Sequence, residues 1–101
     1  MFVYNITVKV DKNIVDDWMK WQTEIHIPNV MTTGLFNDYK FFQLLEQDDS
    51  DGPTYVIQYF AKNKESYDRY LKEFSSKINK SEMEKWGDAF VTFKTLLKVM
   101  H

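Results

Sequence analysis

Polar and apolar positions alternate through the start of the chain. Phe2, Tyr4, Ile6, Val8 and Val10 fall on one side and Val3, Asn5, Thr7 and Lys9 on the other, the two-residue period of a half-buried strand. The period then lengthens. Ile14, Trp18, Trp21 and Ile25 recur at helical spacing, Asp16, Asp17, Lys20 and Glu24 lie outside, and Asp11 or Asn13 can serve as the cap. Pro28 predicts the end of this helix near His26, because the residue before a proline is pushed out of helical geometry, and a loop from Asn29 to Asn37 follows. The run from Asp38 to Glu46 reads as a second strand, QDDSDGP as a hairpin connection, and TYVIQYFA, Thr54 to Ala61, as a third strand rich in β-branched and aromatic residues. Asn63 caps a second helix with an inner stripe of Tyr67, Tyr70, Leu71, Phe74 and Ile78. Outside it, Glu65 with Arg69, Asp68 with Lys72 and Glu73 with Lys77 stand at pairing distance. Ser81 and Glu84 predict a capping box for a separate short helical turn that Gly87 ends and that carries Met83 and Trp86 inward. Phe90 to Met100 reads as the fourth strand.

The order β-α-β-β-α-β over residues 1–101, without linker or repeat, predicts one α+β domain of the ferredoxin-like type: a four-stranded sheet with two helices on one face. Sorting each strand by parity assigns Phe2, Tyr4, Ile6, Val8, Tyr55, Ile57, Tyr59, Val91, Phe93 and Leu97 to the face under the helices. The opposite face then holds Val3, Asn5, Thr7, Val56, Gln58, Phe60, Thr92, Lys94 and Leu96, joined by Phe42 and Leu44. That second face mixes large apolar groups with uncharged polar ones, unlike a surface built for water. Burying a Val, Leu or Phe is worth about 1.5–3 kcal/mol, so a second copy laid sheet to sheet is the expected cover. A homodimer follows, with a small organic ligand in a cavity lined by the neutral polar side chains.

Composition narrows the function classes. The 101 residues carry 13 basic against 15 acidic side chains, a formal charge of −2, without a basic cluster, so nucleic acid is not an expected partner. The absence of cysteine removes disulfides, thiolate metal sites and a cysteine nucleophile. With no leader-like start and no apolar run of membrane-spanning length, the expectation is a cytoplasmic protein that does not enter the membrane.

The segments FVYNITVKVD, WMKWQTEIHIPNVMTTGLF, TYVIQYFA and KWGDAFVTFKTLL resemble a small uncharacterised domain-of-unknown-function family (number 4286) in the dimeric α+β barrel superfamily. The resemblance implies a ferredoxin-like dimer. Its superfamily includes cofactor-independent monooxygenases, small isomerases, haem-degrading oxygenases and effector-binding domains, so it implies fold more than chemistry. Asn5 and Trp86 echo two residues of the haem-degrading members, but no histidine occurs in or beside the second helix, and no cofactor is expected.

His26 is the one internal histidine and shares a helical row with Val15, Met19 and Gln22. It is the candidate proton shuttle, the plainer alternative being a helix-end histidine that bonds the last carbonyls. Trp18 and Trp21 offer an aromatic wall for a flat ligand, or simply core packing. Asn5, Thr7, Tyr39 and Gln58 are the remaining pocket candidates, as neutral polar groups that need hydrogen-bond partners. Spacing brings no two metal ligands onto one face, and Asp48, Asp49 and Asp51 read as a solvated turn, so no metal is expected. Three functional readings stand: a dimeric small-molecule or effector-binding module with a pocket between the sheet and the first helix, a cofactor-independent monooxygenase or isomerase with His26 as proton shuttle, and a structural or interaction protein with a closed cavity.

Overall fold

The computed structural model describes residues Met1–His101. Its four strands are β1 (Phe2–Val10), β2 (Asp38–Leu44), β3 (Thr54–Ala61) and β4 (Phe90–Lys98), hydrogen-bonded in the order β2-β3-β1-β4 with every neighbouring pair antiparallel. Both helices lie on one side, giving the α+β ferredoxin-like arrangement. Tyr4, Ile6, Val8, Ile57 and Tyr59 of the central strands form the core beneath them, each 8% exposed or less.

The first helix does not stop at His26. It runs through 15–31 as α-helical Val15–Trp21, π-helical Gln22–His26 and α-helical Ile27–Met31. In a regular α-helix Pro28 would lack an amide hydrogen for Glu24 and would press its ring on that carbonyl. The π-turn widens the backbone just before it, with the Ile27 N–H donating to the Gln22 carbonyl five residues back. Neither Asp11 nor Asn13 caps this helix: the Asp11 carboxylate closes the preceding turn by accepting from the Asn13 N–H at 2.8 Å, and Ile14 stands at the cap. The second helix is likewise continuous over 64–86, with a π-turn at Leu71–Ser75, so Ser81 and Glu84 sit within it and cap nothing. Asn63 does cap it, its side-chain oxygen accepting from the Ser66 N–H at 2.9 Å. The π-turn shifts the helical phase. Leu71 is turned outward, 40% exposed, while Ser75 and Glu82 are turned in. The surface pairs are also regrouped: Lys64 meets Asp68, Arg69 meets Glu73, and Lys77 is left without an acidic partner.

Register overturns one parity assignment. Thr7 faces Phe93, Lys9 faces Val91 and Val3 faces Leu97, so these three apolar residues of β4 lie on the open face, and Thr92, Lys94 and Leu96 lie on the helix side. β4 carries bulky apolar residues at both parities, so alternation alone does not orient it; its ladder with β1 does. Tyr39, a pocket candidate together with the open-face residues Asn5, Thr7 and Gln58, pairs with Tyr59 and so lies on the helix side instead. The β2–β3 connection folds back on the end of β1, where the Val10 N–H donates to the Pro53 carbonyl and the Lys12 N–H to the Asp51 carbonyl, each at 3.0 Å.

Candidate functional site

The seven residues expected to line a site are distributed over four places. Asn5, Thr7 and Gln58 lie on the open face of the sheet, where the Gln58 amide donates to the Asn5 side-chain oxygen at 3.1 Å, so this polar pair satisfies itself across β1 and β3. Trp18 is fully buried and stacks on Tyr55 with ring centroids 5.2 Å apart, its edge against Phe41 at 6.0 Å. These rings fill the space between the first helix and the sheet in which a pocket was expected. Tyr39 stands on edge strand β2, partly exposed. Apart from the Asn5–Gln58 pair, only Trp21 and His26 come together, their ring centroids 4.7 Å apart.

They do so at the seam between the two helices, where a groove opens with a volume of about 350 Å³. Trp21 and Ile25 of the first helix and Phe74 and Ile78 of the second form its apolar walls. His26, Asn29 and Thr33 on one side and Lys77 and Ser81 on the other supply polar groups. Both π-turns border it, Gln22–His26 through His26 and Leu71–Ser75 through Phe74. Local widening of this kind is common where a helix serves a function. Ile25, expected in the core, is 49% exposed at the rim because the π-turn rotates it outward.

His26 is 6% exposed and is not a helix-end histidine. Its Nδ1 lies 3.1 Å from the side-chain oxygen of Gln22, one turn earlier, and 3.1 Å from Oε2 of Glu82 on the second helix. The hydrogen bond is the one to Gln22, whose oxygen accepts, so Nδ1 carries a proton and donates it there, with the Glu82 carboxylate alongside as an ion-pair contact. That assignment leaves Nε2, which makes no hydrogen bond within the protein, as the atom able to exchange a proton with a guest. The Gln22 hydrogen bond fixes the tautomer and ring plane, and a carboxylate beside the imidazole stabilises positive charge on it. The helix seam thus holds a carboxylate–imidazole pair at 7% and 9% side-chain exposure. No third histidine or carboxylate joins it into a metal-binding group.

Glu82 and Gln22 are the residues that reading the chain for chemistry missed. Phe74, Ile78 and Glu82 are spaced four apart, and a carboxylate on that apolar row is the available signal once the second helix is carried through Ser81. Trp18, Gln22 and His26 form the matching row on the first helix. Glu82 also faces the aromatic core. Burial pushes the phenols of Tyr4, Tyr59 and Tyr70 far above their ordinary range, and neighbouring tyrosines and the charge of Glu82 push in the same direction. These phenols stay neutral at any ordinary pH. The aspartates of the β2–β3 connection form a solvated turn, with the Ser50 N–H donating to Asp48 at 3.0 Å.

No helix is long and apolar enough to cross a membrane. Among solved structures the fold is similar to a dimeric ferredoxin-like protein from an uncultured marine organism, with a TM-score of 0.70, 8% identity and coverage of 99% of this chain and 95% of that one. It is also similar to an ethyl tert-butyl ether d (ethd) family protein from Bacillus halodurans C-125, with a TM-score of 0.68, 13% identity and coverage of 99% and 100%. A third relative in fold is a variant of SnoaB, a cofactor-independent oxygenase from Streptomyces nogalater, with a TM-score of 0.68, 10% identity and coverage of 99% and 94%. At these identities the likeness is one of fold. No curated protein matches the sequence significantly. The model of the domain of unknown function DUF4286 matches residues 1–100, and the chain belongs to that family.

Proposed function

We propose that this protein is a homodimeric small-molecule-binding module whose ligand seats between the two helices against His26 and whose copies join through the open face of the sheet. The observation that carries the ligand site is the unpaired Nε2 of a buried histidine beside a groove of about 350 Å³, within the size range of small-molecule pockets and far larger than a water site. Those dimensions favour a ligand site over the closed cavity of a purely structural protein. The dimer is supported by Val91, Phe93, Phe42 and Leu97 on the open face, each between 44% and 67% exposed, and by relatives in fold described as dimeric.

Two measurements test this reading. A library of aromatic and aliphatic metabolites is screened by thermal shift, and hits are mapped by perturbation of the Trp21 indole and His26 ring resonances. The reading expects at least one hit that moves both signals, and a library without one removes the groove as a binding site. Sedimentation of the full chain at micromolar concentration is expected to give twice the chain mass, and a lone subunit removes the dimer.

A second reading, a cofactor-independent monooxygenase or isomerase, is favoured by Glu82. The Nδ1 proton donated to Gln22 leaves Nε2 free to take a proton from an acidic C–H or O–H, and the Glu82 carboxylate 3.1 Å away steadies the resulting imidazolium. The resemblance in fold to a cofactor-independent oxygenase agrees with such a step. Deuterium exchange into enolisable acids and ketones in heavy water, followed by NMR, tests it: exchange by the protein is expected to fall at least tenfold in H26Q, and equal rates in the two proteins refute it.

A further inference from the structure

We infer that the groove between the helices selects an organic monoanion, a carboxylate carried on a small apolar body, with Lys77 as the residue that reads its charge. The inference rests on the groove being the ligand site proposed above and adds the chemical class of the guest. Three features of the lining agree. First, charge: no carboxylate is among the lining residues and Lys77 is the one fixed charge there, the Glu82 carboxylate lies behind His26 on its Nδ1 side, and the acid one turn before Lys77, Glu73, is engaged by Arg69 at 2.9 Å. Second, hydrogen-bonding sense: the Lys77 ammonium can only donate, and the Asn29 amide and Ser81 hydroxyl, which make no side-chain bonds within the protein, have N–H and O–H groups to spare, so both helices offer donors to an acceptor-rich guest. Third, His26 is more than nine-tenths buried and its Nε2 has no partner. A carboxylic acid can share its single proton with that nitrogen while its carboxylate accepts from the surrounding donors. The four apolar side chains of the walls then receive a body of the size of one aromatic ring or a short branched chain, because the volume of about 350 Å³ is at the low end for small-molecule pockets.

Matched pairs supply the test: benzoate with benzamide, phenylacetate with phenylacetamide, 2-naphthoate with 2-naphthamide, and 4-methylpentanoate with its amide. Each is titrated into the full chain by calorimetry, and the Trp21 indole and His26 ring resonances report whether the groove is the place of binding. At least one carboxylate is expected to bind there ten or more times tighter than its amide. In K77M, an exposed change that leaves the core untouched, that preference is expected to fall to less than threefold while amide affinity stays the same. Aromatic acids ahead of the aliphatic one identify Trp21 and Phe74 as the walls that grip the body, and the reverse order identifies Ile25 and Ile78. Acid and amide binding equally in the groove overturns the anion selectivity and leaves the binding site standing. No perturbation of Trp21 or His26 by any member overturns both. Selectivity that survives K77M overturns the role of Lys77.

Discussion

Replacing Glu82 with leucine removes the carboxylate from the helix seam at nearly constant volume and leaves His26 with Gln22 alone. Both members of the pair are more than nine-tenths buried and 3.1 Å apart. Removing one partner of such a pair costs about 3–5 kcal/mol, mostly because the survivor is left in a medium that solvates it poorly. Gln22 still accepts from Nδ1, so the lower end applies to E82L, about 3 kcal/mol. For a domain of this length that is a fall in Tm of roughly 12–24 °C. H26L strands a carboxylate that has no other partner, and its loss is expected at about 4 kcal/mol. The double variant H26L/E82L replaces the imidazole and the carboxylate together with apolar groups and is expected within about 1 kcal/mol of the parent. The measurement is urea unfolding of all four proteins at one protein concentration, which holds any contribution of association fixed. A coupling of at least about 2 kcal/mol is expected, and losses that simply add, within about 0.5 kcal/mol, refute the pairing. Recovery in the double variant carries a functional meaning: a pair that apolar residues can replace without loss of stability is not kept for stability, and its imidazole is then available for the guest.

Other consequences concern the sheet and its turns. F93K places a charge on a side chain that is 67% exposed in the single chain, about 130 Å² or roughly 3 kcal/mol per copy if buried against a second sheet, so dimer dissociation is expected to rise at least a hundredfold in sedimentation equilibrium; an unchanged constant refutes the sheet-to-sheet interface. Tyr4, Tyr59 and Tyr70 hold their protons more tightly folded than unfolded, so stability is complete below the unfolded value near pH 10 and is lost as the pH rises above it, by up to about 1.4 kcal/mol per pH unit for each phenol. Tyrosinate absorbance is expected to show these three ionising only together with the loss of circular dichroism, and ionisation of all tyrosines in the still-folded protein counts against the burial argument. In G52A a methyl group would lie 1.8 Å from the Val10 carbonyl oxygen at a φ of +145°, so the β2–β3 connection must lift from the end of β1. A loss of about 3 kcal/mol in urea unfolding is expected, and a change under about 0.5 kcal/mol shows that the connection adapts freely.

The strands, the two helices and their order are legible in the chain because each rests on local periodicity: alternation in Phe2–Val10, helical spacing from Ile14 and from Tyr67, turn formers before Thr54. The open apolar face follows from the same patterns, since two helices cover one side of a four-stranded sheet. What periodicity did not decide is phase and partner. β4 is apolar at both parities, and only its hydrogen bonds to β1 turn Val91, Phe93 and Leu97 outward. The π-turns at Gln22–His26 and Leu71–Ser75 each shift the phase of their helix, an effect that no repeat of 3.6 anticipates, and the first carries its helix past Pro28. His26 and Glu82 are 56 positions apart in the chain, and neither explains the other until packing brings both helices to one seam. Local sequence therefore determined which elements form, because backbone preferences and amphipathic patterns act over a few residues. Tertiary structure alone decided which charged groups meet, because that depends on desolvation and geometry between segments distant in the chain.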